Sequence, residues 1–460
     1  MQNSHLTIIL RTFSKKDFRD LKKWLHSPIH NQREDVFRMF EYLTSNGRLF
    51  NEKLLKKEKI FSKIFPNEPY DDLKIRQTMH FFLKSVEEFL IYQELREDQV
   101  RSKMALASVY RKRKLDKAFQ KTIKGVKELQ EEAALRNEQY LRNEYLLQQE
   151  QYTYLENQKR NISMNLQEVS DSLDTTYFAD KLRQSCLMLA HQKVYKTEYK
   201  IGLLSEVLAY VEKREFLDTP AIAIYYYGYQ ALTSEDNERY FIALREAIDQ
   251  HGHLFPKSEI RDIYLMAINY CILRANRGGE TTYIRTAFEL FRLGFDNKVL
   301  IENGLVSRFS FRNAVGAGLK LKEYDWVDSF IHEFRQYLDK KYQESFFLHA
   351  LARLQFERKD YDQAMRLLVQ TDFDDMLVNL NAKTMLFKMY YELDEMDALE
   401  SLLDSMRTYI QRKNLMGYHK ENYQNILKYT RKLVRVTPYN KQQKEKLKDE
   451  IYFQSKRMKF

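Results

Sequence analysis

Glycine and proline are scarce in this chain. Its 460 residues include only 12 glycines and 6 prolines. Glycine supplies the positive-φ positions and proline the fixed φ angles on which tight turns depend, and a fold of many short strands needs many such turns. The scarcity therefore argues against a β-rich fold and predicts long helices.

Cysteine is rarer still. Cys186 and Cys271 lie far apart and outside any CxxC pair, whereas a disulfide framework or a zinc cluster needs more cysteines at closer spacing. The N-terminus has no signal-peptide pattern, and the longest uncharged stretch, 219–234, is too short to span a bilayer. We therefore expect a cytoplasmic protein in a reducing compartment, with no membrane partner.

Motifs of catalysis and cofactor binding are also missing. The sequence has no GxxxxGK[ST] or GxGxxG loop for a nucleotide and no HExxH motif. His26 and His30 are four residues apart, but Pro28 interrupts the helix that would bring them together as metal ligands. His251 and His253 have no third ligand nearby in sequence. We predict no metal, no cofactor and no enzymatic activity.

Charged and aromatic residues are abundant instead. The chain has 76 basic and 65 acidic side chains, a net charge of +11, 32 Tyr and 29 Phe. Mixed charge of this kind is typical of solvated helix faces, and the moderate basic excess is compatible with an anionic partner. Aromatic rings of this number suit both the core and the grooves of a helical protein.

The first hundred residues carry clear helix boundaries. Ser14 and Asp17 have the spacing of a capping box, and Pro28 ends the helix that begins there. A further helix is predicted to begin near Asp71. We interpret 1–100 as an N-terminal helical module.

The remainder divides into three further segments. Residues 101–215 contain no proline and predict long helical hairpins, with a helix beginning at about Asp174. Pro220 opens a series of shorter hairpins, and 216–435 is predicted to consist of helical repeats. Residues 436–460 are basic and polar, as in a solvated or loosely docked tail.

A repeat is most evident near the C-terminus. Ala364 lies four residues before Leu368, and 34 residues later Ala398 lies four before Leu402. Val327 has the equivalent spacing one unit earlier, at an offset of 37. Such self-similarity is typical of stacked helical hairpins, whose usual role is to hold another molecule.

Residues 345–412 resemble the tetratricopeptide repeat. In the first copy Leu351 and Ala352 take the place of the family's Leu-Gly pair, and in the second copy Met385 and Leu386 do so. The later family positions are matched by Tyr361, Ala364 and Leu368, and by Ala398 and Leu402. Glu395 departs from the expected aromatic, and the family's Trp, Gly and Pro are missing from both copies. The resemblance, clearest over 308–412, implies an all-α fold in which a right-handed α-solenoid follows the N-terminal module.

The resemblance also implies a binding face. In this family partners usually lie on the concave face made by the first helix of each repeat. Carried over, that face holds Phe346, His349, Arg353, Phe356 and Glu357 in the first copy and Leu380, Lys383, Phe387, Tyr390 and Tyr391 in the second. Seven of these are the predicted partner contacts: His349, Arg353, Phe356, Lys383, Phe387, Tyr390 and Tyr391. Two cations among aromatics would suit an acidic-aromatic peptide or a chain terminus. The alternative is that Phe356, Phe387 and Tyr390 are core residues.

A second kind of partner is suggested by a basic run, formed by Arg111, Lys112, Arg113 and Lys114. Such runs usually mark a solvated helix face, but they also contact phosphates in sequence-tolerant nucleic-acid binding. A third alternative is an oligomeric structural protein that associates through 105–165, although the sequence predicts no particular oligomeric state. The preferred hypothesis is a non-catalytic scaffold for a protein or peptide partner, and the main alternative is a nucleic-acid-binding protein.

Overall fold

The computed structural model describes residues 1–158, 163–195, 197–213, 215–234, 237–278, 281–369, 375–412, 418–436 and 439–457. The structure is 81% helix and 1% strand, which confirms the expected all-α class. Among the residues described, no helix is both long and apolar enough to cross a membrane.

Twenty-two α-helices lie within these ranges. In the first part of the chain they are α1 (His5–Leu10), α2 (Lys15–His26), α3 (Glu34–Thr44), α4 (Lys57–Ile64), α5 (Asp72–Glu97), α6 (Gln99–Lys112), α7 (Asp116–Glu131), α8 (Glu138–Glu156), α9 (Leu166–Tyr195) and α10 (Leu204–Glu212). They continue with α11 (Pro220–Thr233), α12 (Arg239–His251), α13 (Lys257–Gly278), α14 (Thr281–Asp296), α15 (Arg308–Lys320), α16 (Tyr324–Phe334), α17 (Lys340–Glu357), α18 (Tyr361–Val369), α19 (Met376–Glu392), α20 (Met396–Arg412), α21 (Tyr418–Val434) and α22 (Lys441–Arg457).

Short elements join some of these helices. Short 3₁₀ segments occupy Ser45–Phe50, Glu52–Leu54, Glu215–Asp218, Gly252–Leu254 and Arg335–Tyr337. The first of these is kinked at Asn46 and Gly47, which have positive φ angles. The strands β1 (Ile301–Glu302) and β2 (Leu305–Val306) form a small antiparallel hairpin in which Ile301 pairs with Val306.

The chain forms two compact units. One comprises Met1–Ala133 with Arg142–Ser172, and the other comprises Ala134–Leu141 with Leu173–Phe460. The predicted boundaries at 100, 215 and 435 remain predictions of organisation along the chain. The segment predicted as a tail contains α22, whose Leu447 is buried.

The N-terminal capping signals produce the expected helix ends in the first unit. The Ser14 hydroxyl accepts a hydrogen bond from the Asp17 amide at 3.2 Å, and the Asp17 carboxylate accepts one from the Ser14 amide at 2.8 Å. This capping box starts α2, which ends at His26 just before Pro28. Asp71 caps α5 as predicted. Ser4 caps an additional short helix, α1, that the pattern did not predict.

The predicted helix start near Asp174 is wrong. Helix α9 begins eight residues earlier, at Leu166, and passes through this position without interruption. No glycine or proline separates Leu166 from Asp174 to break the helix. The nearby Thr176 hydroxyl donates to the carbonyl of Leu141 at 3.1 Å, so it makes a tertiary contact and not a helix cap.

In the second unit, helices that follow one another pack in pairs. The hairpins predicted after Pro220 are confirmed, because α11 packs against α12 and α13 packs against α14. Gly279, which lies between α13 and α14 in the sequence, is outside the described residues. The pairs α15–α16, α17–α18 and α19–α20 follow. In addition α15 packs against α17, and α17 against α19. This arrangement is compatible with a helical-repeat fold.

One turn geometry joins the helices of the last three pairs. Its left-handed residue is Lys322, Lys359 and Asp394 in turn, with φ angles of 63°, 68° and 61°. In each case the next amide donates to the carbonyl five residues back, at 2.8–2.9 Å. This is the hydrogen bond of the Schellman motif, which satisfies carbonyls at a helix end.

These turns correct the repeat length. The three left-handed residues are 37 and then 35 residues apart, so the last step is 35 and not the predicted 34. The fully buried residue equivalent to Ala364 is therefore Leu399, whereas Ala398 is only half-buried. The repeat pattern in the sequence aligns Ala398 with Ala364. The turn at Asp394 instead determines which face of α20 is buried.

Candidate functional site

Four of the seven predicted groove residues pack into the core. His349 and Phe387 are each only 3% exposed, while Phe356 and Tyr390 are half-buried against core side chains. The corrected repeat length explains Phe387, because a step of 35 makes it equivalent to the fully buried Ala352. Burial of His349 and Phe387 leaves them no surface that a partner can reach.

The other three predicted residues retain access to solvent. Tyr391 is 40% exposed, and Lys383 and Arg353 are half-buried. Of these three, Arg353 has the most unusual surroundings, and it leads to a site that the sequence did not predict.

Arg353 projects from α17 against a glycine of α15. A Cβ atom at Gly316 would lie 3.3 Å from Nη2 of Arg353. The guanidinium therefore packs close to the backbone of Gly316, and a side chain at this position would push against it. Burial lowers the pKa of Arg353, and the charge of Arg312 lowers it further, while Glu357 opposes both effects. A pKa lowered in this way means that the charged form is costly in these surroundings.

Neither arginine has a counter-ion in the part of the chain that the structure describes. No carboxylate oxygen lies within 4.0 Å of a guanidinium nitrogen of Arg312 or Arg353, and neither side chain makes a hydrogen bond there. Arg312 makes only a distant contact with the Phe309 ring, at 6.0 Å. Removing a charge from water is costly unless the charge is paired, so these two partly buried arginines are candidates for binding an anion.

Both arginines open onto one cavity, which we call the arginine pocket. It has a volume of about 350 Å³ and lies among α13, α14, α15, α17 and α19. Its cationic side chains are Arg312, Lys320 and Arg353, and its amide side chains are Asn276, Asn313 and Asn381. Among the described residues that line it there is no aspartate and no glutamate.

Helix geometry places the cations together. Arg312, Gly316 and Lys320 are spaced four residues apart on α15 and so lie on one face of that helix. Arg353 approaches this face over Gly316. The result is a line of positive charge with the uncharged backbone of Gly316 at its centre.

The buried His349 responds to the same charges. Burial and, after it, the charges of Arg353 and Arg312 lower the pKa of His349 to about 3. The imidazole is therefore neutral at physiological pH and adds no fourth positive charge. Its depressed pKa is what an electropositive environment of low polarity would cause.

No protein-family model matches this chain, and comparison with curated proteins and with solved structures finds no significant match. Guanidinium groups offer planar, paired N–H donors that suit carboxylate and phosphate oxygens. An anion is the ligand that these cations and amides favour.

The basic run predicted for nucleic-acid binding lies at the turn between α6 and α7. Arg111 is engaged in an ion pair with Glu150, whose Oε1 lies 2.6 Å from its Nε. Lys112, Arg113 and Lys114 are exposed. Glu150 therefore already neutralises Arg111, whereas the other three cations of the run face solvent.

His26, His30 and the two cysteines pack against other side chains of the fold. The His30 ring stacks on the Trp24 ring with 3.4 Å between their centroids, and the His26 ring packs against the Phe37 ring with 4.2 Å between centroids. Both cysteines are buried, and burial raises the pKa of each thiol, to about 12 for Cys271. Within the described ranges no group of three or more His, Cys, Asp or Glu could hold a metal ion.

A buried acidic network provides a contrast with the arginine pocket. Glu259 is 5% exposed and accepts a hydrogen bond of 2.6 Å from the Tyr225 hydroxyl. Its carboxylate lies 3.8 Å from Nε of Arg183, which also pairs with Glu138 at 3.0 Å. Here opposite charges are matched inside the protein, so the network stabilises the fold without needing a ligand.

Proposed function

We propose that this protein is a non-catalytic, cytoplasmic scaffold whose second unit is a tetratricopeptide-like α-solenoid that binds an acidic segment of a protein partner. One observation carries the proposal. The arginine pocket holds Arg312, Lys320 and Arg353 with no acidic side chain among its described lining.

Unpaired charge in the arginine pocket is costly. A half-buried guanidinium has lost part of its hydration without gaining a counter-ion, which raises the free energy of the unliganded pocket. An anionic group of a partner would restore hydrogen bonds to both arginines. Because the cations project from packed helices, little backbone entropy is lost on binding.

The proposed surface is smaller than the predicted groove. Arg353 stays at its centre, and the exposed Tyr391 and half-buried Lys383 on α19 remain available to a longer partner segment. His349 and Phe387 support this surface from within the core.

The test compares the wild-type protein with the double variant Arg312→Gln/Arg353→Gln. Tagged proteins are purified from the native cells after nuclease treatment, and co-purifying proteins are quantified by mass spectrometry. We expect a stoichiometric partner with the wild type and a loss of affinity of about a hundredfold or more with the double variant, since it removes two charged groups whose hydrogen bonds contribute about 1.5–3 kcal/mol each.

Arg407→Gln is the matched control, because Arg407 is exposed on α20 and lies outside the pocket. It removes the same charge and should retain the partner. Circular dichroism verifies that all variants are equally helical. A correctly folded double variant that retains its partner at the wild-type level contradicts the proposal.

The second candidate function is nucleic-acid binding by the α6–α7 turn. It is favoured by exposed cations that continue along α7, where Lys117 and Lys121 follow Lys112, Arg113 and Lys114. Phosphate contacts release counter-ions, so affinity for a labelled oligonucleotide should fall steeply between about 50 and 200 mM salt. Replacement of Lys112, Arg113 and Lys114 by glutamine should reduce that slope. Salt-independent binding, or no binding, contradicts this candidate.

A further inference from the structure

The arginine pocket concentrates more positive charge than one carboxylate would neutralise. Three cationic side chains, Arg312, Lys320 and Arg353, face a lining whose described residues include no acid. A carboxylate brings a single negative charge and two oxygens. A phosphate monoester brings a charge of about −1.5 to −2 at neutral pH and three strong acceptor oxygens.

We infer that the arginine pocket binds a phosphate monoester dianion, carried by a phosphorylated side chain of the partner protein. The inference deepens the proposed function and rests on it for the source of the phosphate. The phosphate chemistry itself rests on the residues of the pocket.

The two arginines are arranged for a shared ligand. Arg353 lies over Gly316, one helical turn along α15 from Arg312. The two charges are close enough that Arg312 lowers the pKa of Arg353. A dianion between the guanidiniums would turn this repulsion into two favourable contacts, each of the paired N–H···O type that arginine makes with phosphate.

Polar groups are available for the remaining oxygens. Lys320 extends the line of cations by one more turn of α15, and Asn313 directly follows Arg312 on the same helix. Asn276 of α13 and Asn381 of α19 reach the cavity from other helices. Each amide can donate two hydrogen bonds without adding charge.

The rest of the cavity suits an organic group attached to the phosphate. Its walls include Ile272, Ala275, Ile284, Ala287 and Phe291, all of which are apolar. Its volume of about 350 Å³ is within the range of small-ligand pockets, ~300–1,000 Å³. The cavity therefore has both a charged region for the phosphate and an apolar region for the side chain that carries it.

The test uses isothermal titration calorimetry with the full-length protein and four probes. Phenyl phosphate and benzoate compare a dianion with a monoanion on the same ring. A blocked alanine pentapeptide with a central phosphoserine, and the same peptide with serine, test whether the phosphate can arrive on a protein segment. We expect phenyl phosphate and the phosphopeptide to bind, and benzoate and the serine peptide to bind at least about tenfold more weakly.

Variants connect binding to the pocket. Arg312→Gln and Arg353→Gln should each reduce the affinity for phenyl phosphate about tenfold or more, because each removes charge-assisted hydrogen bonds. Lys320→Gln alters an exposed side chain, should leave the fold intact and should also weaken binding. Arg407→Gln should bind as the wild type does.

The outcomes separate this inference from the proposed function. If no phosphate probe binds, if benzoate binds as well as phenyl phosphate, or if the three pocket variants bind normally, the phosphate inference is overturned. The scaffold proposal would survive that result if the double variant still lost its cellular partner. If phenyl phosphate binds at the pocket but the phosphopeptide does not, the phosphate site stands, and its assignment to a protein segment is overturned.

Discussion

Two glycines on α15 provide a sharp test of the structure. Gly316 and Gly318 are two residues apart and differ in what an added methyl group would meet. A Cβ atom at 316 would lie 3.3 Å from Nη2 of Arg353, the mobile end of a long side chain. A Cβ atom at 318 would lie only 2.5 Å from Cγ2 of Val327, which is fully buried in α16.

These distances predict opposite effects on stability. Replacing glycine by alanine inside a helix gains about 1 kcal/mol from helix propensity. Gly316→Ala should keep most of that gain, about 0.5–1 kcal/mol, because the guanidinium needs to move by only a few tenths of an ångström. Gly318→Ala should not gain stability and should lose up to about 2 kcal/mol net, since Val327 has one preferred rotamer in a helix and an overpacking cost of about 1–3 kcal/mol offsets or exceeds the propensity gain.

Urea unfolding followed by circular dichroism measures both variants against the wild type, and hydrogen exchange of the α15 amides shows whether the change is local. Titration with phenyl phosphate adds a second measurement. Gly316→Ala should weaken binding although it raises the free energy of unfolding, because the added methyl group displaces the Arg353 guanidinium. Equal stability changes in the two variants would refute the packing of α15 against α16 and α17 described here.

Three further predictions follow from the buried ionisable groups. Glu259→Gln should lower the free energy of unfolding by about 2 kcal/mol in urea titrations, because it removes the charge that strengthens the hydrogen bond from the Tyr225 hydroxyl and that pairs with Arg183; an unchanged midpoint would contradict the network. The pKa of His349 is lowered in the folded state from 6.5 to about 3, so as the pH falls the unfolded chain takes up a proton at His349 before the folded protein does. The contribution of neutral His349 to the free energy of unfolding, which is fully present above about pH 6.5, should therefore be lost as the pH falls towards 3. His349→Leu should show a shallower decline over that interval, and parallel curves would disprove the assignment. Because burial raises the pKa of the Cys186 and Cys271 thiols, a disulfide reagent at pH 8 should modify neither in the folded protein and both in urea; rapid labelling of the native protein would show that they are accessible.

The sequence alone determined the class of fold and many helix ends. With few glycines and prolines, and with apolar residues at helical spacing, the chain had little alternative to helices. The Ser14–Asp17 capping box and the Asp71 cap lie in the structure where the sequence predicted them. These features depend on residues within one or two turns of each other, so local chemistry is sufficient to predict them.

Burial required the tertiary structure. Aligning Ala398 with Ala364 placed Phe387 on a groove, whereas the turn at Asp394 sets a step of 35 residues and places Phe387 in the core. A change of one residue rotates a helix face by about 100°. A repeat length that is wrong by one therefore exchanges core and surface.

The candidate site shows the same division. Arg353 was predicted as a partner contact from the repeat pattern, and that role stays a prediction. Arg312 and Lys320 were missed, although their four-residue spacing about Gly316 was visible in the sequence. Sequence determined which charges the chain carries, but only the packing of α15 against α17 decided that these three meet in one cavity without a described acid. The cost of a buried charge depends on its neighbours in space, and those neighbours are brought together by folding.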